Sequence, residues 1–65
     1  DAFRARAVIQ RFDALGQPTA ASLKLGHDIE TRLGNPEGAL TYSKRLLSQF
    51  PDSEQAHALD TTASP

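Results

Sequence analysis

Apolar residues return at Ala5, Val8, Ile9, Phe12 and Leu15, spacings that place them on one side of a helix and predict such an element over 3–15. Arg4, Arg6, Arg11 and Asp13 fall mostly off that stripe. The run breaks at "GQPT", where Gly16 suits the left-handed backbone of a helix C-terminus and Pro18 cannot continue the hydrogen-bond ladder. Thr19 is a good N-cap for a second helix over 19–33, with Ser22, Leu25, Gly26, Ile29 and Leu33 as its stripe. Gly26 costs ~1 kcal/mol against alanine inside a helix. Either a neighbouring backbone approaches closely there, or the helix tolerates a weak residue.

The stretch "LGNP" reads as a turn: Gly34 takes the left-handed conformation, Asn35 caps, and Pro36 occupies the first helical position, where no amide donor is needed. A third helix over 36–50 follows, with Ala39, Leu40, Ser43, Leu46, Leu47 and Phe50 on its apolar side. Glu37 near its start and Lys44 and Arg45 toward its end suit the helix dipole. Tyr42 beside that stripe reads as a partly buried ring with its hydroxyl in water, the alternative being a contact surface. Pro51 biases Phe50 away from helical geometry and ends the element. Asp52 or Ser53 then caps a short fourth helix over 53–59, begun by Ala56 and Leu59, and residues 61–65, without apolar periodicity, are expected to form a flexible tail.

The pattern therefore predicts an all-α fold, three helices and a short fourth within one domain over 1–60. A chain of 65 residues buries only ~60% of the surface its unfolded form exposes, so the core must be thin. No cysteine is present to staple it. With a net charge of -1 and a pI near 6.1, no global positive field draws a polyanion. The opening "DAFRAR", without an initiator Met or apolar leader, reads as the start of a piece of a longer protein.

The ionisable residues do not converge on a reaction. His27, Asp28 and Glu30 lack the spacing that brings ligands onto one ion, and no Cys cluster or HExxH pair exists. Ser53 and His57 lie four apart, but Ser53 serves as a cap and no orienting acid or oxyanion donor accompanies them. The four glycines stand singly, so no phosphate loop forms. Asp28 and Arg32 read as an ordinary surface ion pair. No enzyme activity, metal or cofactor is expected.

Laid on itself with a shift of 34, the sequence sets Ala5 on Ala39, Val8 on Tyr42, Phe12 on Leu46, Thr19 on Ser53 and Leu25 on Leu59. That period, with Leu25-Gly26, Ile29, the Gly34-Asn35 turn, Ala39-Leu40, Tyr42 and Pro51, resembles the tetratricopeptide repeat, built from antiparallel helix pairs. Ser22 stands where that consensus often has a large aromatic, and the interval to Ala39 is one residue longer than usual. More particularly, "LKLGHDIETRLGN" followed by "ALTYSKRLLSQFPDSEQ" resembles the C-terminal repeat of the tetratricopeptide lipoproteins of type IV pilus biogenesis. This resemblance, over about residues 5–57, implies a protein-binding module of an outer-membrane lipoprotein facing the periplasm, which helps the pilus secretin reach the membrane and multimerise. A tetratricopeptide scaffold of another complex carries the same signature.

In a stacked repeat the first helix of each pair lines the inner surface, which here offers Leu23, Lys24, His27, Glu30 and Thr31 to a protein partner. Leu23 alternatively packs on the first helix or on a neighbouring repeat. Leu23 and His27 replace much of the basic and amide set with which some such modules clamp a carboxylate, so no clamp is expected. A helix-turn-helix DNA reader is the rival, but its recognition helix would open with "PEGALTY", an acid with no Arg, Lys, Asn or Gln to meet bases. Nucleic acid is not expected as a partner. Fewer than two repeats should be marginally stable in isolation, with Phe3, Val8 or Ile9 driving self-association.

Overall fold

The computed structural model describes residues 1–16 and 18–63, with residues 60–63 described by backbone alone. Within them lie four helices and no strand: α1 Ala2–Leu15, α2 Ala20–Arg32, α3 Pro36–Gln49 and α4 Glu54–Ala63. The boundaries follow the caps. The Asp1 carboxylate accepts from the Arg4 amide, and Thr19 and Ser22 exchange side-chain and backbone bonds in a reciprocal capping box. Asn35 accepts from the Gly38 amide, and Ser53 accepts from that of Ala56 while its hydroxyl donates to the Phe50 carbonyl. Gly34 has φ of +73°, the left-handed value its turn requires. Gly16, by contrast, is extended at φ −151° and not left-handed; its amide still closes α1 by donating to the Phe12 carbonyl. The tail expected over 61–65 is helical as far as Ala63, and residues 64 and 65 lie outside the described residues.

Helix α2 touches all three others. The connection from Leu33 to Asn35 folds α3 back along it, and α4 returns against the pair. Helix α1 runs opposite to α2: Ala2 and Ala5 lie by Ile29 and Arg32, while Val8 and Phe12 lie by Ser22 and Leu25. The best-buried cluster joins Leu23 of α2, Leu46 of α3, and Ala56 and Leu59 of α4, with Ala20, Tyr42 and Phe50 packed on it. Ile9, Ile29 and Ala39 are buried outside it.

Two stripes differ from those the periodicity predicts. On α2 the covered positions are Leu23, Gly26, Ile29 and Glu30, whereas Leu25 is half exposed. Helices α3 and α4 cover the Leu23 side and α1 covers Ile29, so the inner face of α2 is rotated away from Leu25. On α1 only Ile9 is buried; Val8, Phe12 and Leu15 face outward, and Arg6 and Asp13 occupy half-buried inner positions. Helix α1 meets the flank of the α2–α3 pair through Ala2, Ala5, Arg6, Ile9 and Asp13, and that flank offers carboxylate and guanidinium groups as well as carbon.

Candidate partner-binding groove

The turn that joins α2 to α3 also shapes an open groove of about 420 Å³. Gly34 and Asn35 floor its end, His27 and Thr31 form the α2 wall, and Pro36, Ala39, Leu40 and Ser43 form the α3 wall. Leu40 is 53% exposed, and with Pro36 and Ala39 it makes the α3 wall largely apolar, facing the polar groups of α2. Along α2, Lys24 Nζ donates to both Asp28 oxygens at 2.8 and 2.7 Å, and His27 Nδ1 lies 3.0 Å from Asp28 Oδ1. Burial acts to raise the Asp28 pKa, but hydrogen bonds from Lys24 and His27 outweigh it and hold the carboxyl below its ordinary value. Asp28 thus pairs with Lys24, four residues before it, instead of the expected Arg32. The Thr31 hydroxyl donates back to the His27 carbonyl at 2.9 Å.

Of the five residues expected to meet a partner, His27 and Thr31 line the groove, and Lys24, half-buried, lies one turn before His27 on the same side of α2 but outside the groove lining. Leu23 and Glu30 do not join them. Leu23 is 1% exposed and belongs to the core against Leu46, Ala56 and Leu59. Glu30 is 4% exposed and holds the helices together. Its Oε2 accepts from Arg6 Nε at 2.9 Å, and its Oε1 accepts from Arg6 Nη2 at 2.7 Å and from Asn35 Nδ2 at 2.9 Å. Asn35 therefore caps α3 and fixes Glu30 at once. A second two-pronged pair, Arg45 to Asp13 at 2.9 and 2.8 Å, ties α1 to α3. No buried side-chain nitrogen or oxygen among the described residues lacks a partner.

Between these pairs stands Tyr42, half-buried, with Arg45 5.8 Å from its ring centroid. Burial first, then the Asp13 and Glu30 charges, raise its phenol pKa. The ring lies over Gly26: a β-carbon there would come 2.5 Å from Tyr42 Cε1. The close approach expected at Gly26 therefore exists, but an aromatic ring makes it where a backbone was expected.

Hydrogen bonds from Arg6, reinforced by Asn35, hold Glu30 below its ordinary pKa, and those from Arg45 do the same for Asp13, each against a smaller opposing effect of burial. A carboxylate lowered on folding stabilises fully above its unfolded pKa, about 4, and loses that contribution as pH falls through its folded value. We expect the attachment of α1 to be insensitive to these two groups from about pH 5 upward and to weaken below about pH 4. Amide chemical shifts of Ile9 and Asp13 should then move toward free-helix or coil values before those of Leu46 do. Simultaneous movement would show that the pairs do not govern α1.

The sequence did not single out Pro36, Leu40 or Ser43 as groove residues. A usable signal was present: α3 carries adjacent apolar pairs, Ala39-Leu40 and Leu46-Leu47, too wide for one contact face. Ala39 and Leu46 turn inward, leaving Leu40 and Leu47 on the second side. Among the described residues no cluster of His, Cys, Asp and Glu could hold a metal ion, and no helix is long and apolar enough to cross a membrane. Comparison with protein-family models, with curated proteins and with solved structures gives no match.

Proposed function

We propose that the chain is a tetratricopeptide-like, non-enzymatic protein-interaction module that binds a protein segment in the groove between α2 and α3. The observation that carries this reading is the groove itself: an exposed Leu40 and the Pro36 ring opposite His27 and Thr31, apolar surface with a few fixed polar groups, the composition that protein-binding clefts share. The period of 34 residues and the helix pair folded at Gly34 support the repeat assignment. The sequence resemblance to type IV pilus lipoproteins supplies the partner: an outer-membrane secretin, with the parent protein at the periplasmic face of that membrane, aiding its localisation and multimerisation.

Purified secretin should bind the immobilised chain. Thr31→Arg and Leu40→Glu, both at exposed positions, should each weaken capture about tenfold, an ordinary loss for a central contact, with the helical circular dichroism unchanged. Absence of secretin binding by the unaltered chain would remove the pilus assignment. Full capture by both variants would move the contact off this groove.

A further inference from the structure

Away from that groove, α1 and α2 form a second surface of different character. Val8 is 63% exposed, Phe12 46%, Leu15 84% and Leu25 50%; Val8, Phe12 and Leu25 line one depression between the two helices. Three arginines border it. Arg4 precedes Val8 by four residues, Arg11 follows Val8 by three and precedes Leu15 by four, so all lie along one side of α1. Arg32 lies beside Leu25 in the adjoining hollow. All three are exposed, and none has a side-chain ion pair among the described residues, in contrast to Arg6, Lys24 and Arg45. Of the described acids, Asp13, Asp28 and Glu30 are engaged by other cations. Two acids border this surface and both are occupied: Asp1 as the cap of α1, and Asp28, between Leu25 and Arg32 on α2, by Lys24.

A partner for this face must cover carbon and supply negative charge. Its shape selects among such partners. The shift of 34 equates Ala5, Val8 and Phe12 with Ala39, Tyr42 and Leu46. In α3 that trio is covered by a helix: Ala39 and Leu46 are buried, and Tyr42 lies on Gly26 of α2. On α1 the small member, Ala5, lies against Ile29 of α2, but the two large ones, Val8 and Phe12, stand open. A concave seam between two helices accepts the ridge of a third more readily than a flat lipid surface.

We propose that the α1–α2 face is a docking site for an amphipathic α-helix of a protein partner whose apolar stripe is flanked by aspartate or glutamate. Apolar residues of that helix fill the seam at Val8, Phe12 and Leu25, and its acids meet Arg4, Arg11 and Arg32. The site is distinct from the groove at Leu40 and does not depend on what binds there.

Two synthetic helical peptides of about five turns, with the same leucine stripe flanked by glutamate in one and lysine in the other, provide the test, with phosphatidylglycerol vesicles as a third probe. By fluorescence anisotropy with the full chain, the glutamate peptide should bind and the lysine peptide should not. Arg4→Glu with Arg11→Glu should weaken the glutamate peptide at least about tenfold and admit the lysine peptide. Val8→Ser with Phe12→Ser, both outward-facing, should abolish binding with helicity retained. The groove variant Leu40→Glu should leave binding unchanged, which separates this proposal from the secretin assignment. Equal binding of both peptides, binding of neither, indifference to the Val8 and Phe12 changes, or vesicle binding in place of peptide binding would each overturn it.

Discussion

Leu46→Ala is expected to leave the chain at the edge of unfolding. Leu46 is fully buried and sits where Leu23, Ala56 and Leu59 converge, so its side chain joins α2, α3 and α4 in one cluster. Truncating such a leucine costs ~2–5 kcal/mol, the removed contacts plus the cavity left behind. A domain of this length has only about 3–10 kcal/mol in total at usual per-residue stabilities. Collapse into the cavity is restricted because Leu46 has neighbours on three helices. Urea unfolding followed by circular dichroism should show the midpoint falling by a large fraction or the folded baseline disappearing. Leu47→Ala, one residue on but 44% exposed, should lose less than about 1 kcal/mol. Equal losses at the two positions would mean that α3 presents a different face to α2.

The second large effect is expected at Gly26, where two forces compete. Alanine would gain ~1 kcal/mol of helix propensity. Against that, its β-carbon would lie 2.5 to 2.8 Å from three carbons of the Tyr42 ring, and these belong to the ring's body, held on the core, with no freely moving tip to yield. Overpacking of this kind costs ~1–3 kcal/mol, so Gly26→Ala should destabilise by up to about 2 kcal/mol net. Combining it with Tyr42→Ala should reverse the sign, since the clash is gone and only the propensity gain remains: added to Tyr42→Ala, the same alanine should stabilise. A thermal-denaturation cycle over the four proteins reads this coupling directly.

The helices were legible because their ends are written in local chemistry. Thr19, Asn35 with Pro36, Gly34 and Pro51 act within a few residues of themselves, and α2 and α3 begin and end within a residue of where those signals put them. The inner faces were harder to read. Leu23 and Leu25 are both leucines on one helix, and period alone selected Leu25. What turns Leu23 inward is the set of neighbours on α3 and α4, together with a buried Glu30 that a sequence reads as a surface acid. Glu30 tolerates burial because Arg6, 24 positions away, and Asn35 satisfy it. Asp13 and Arg45 are 32 positions apart, a separation at which no local pattern signals pairing. The same rotation withdrew Leu23 and Glu30 from the partner-facing set while leaving Lys24, His27 and Thr31 on the open side.

All of this depends on α2 presenting Leu23, Gly26 and Glu30 to α3, with Tyr42 seated on Gly26. Nuclear Overhauser contacts between the Tyr42 ring protons and the Gly26 α-protons test that arrangement most directly. The packed pair predicts strong cross-peaks and ring-current shifts of the Gly26 protons. A Tyr42 ring that shows contacts only within its own helix, with Gly26 protons at ordinary helical shifts, would contradict it.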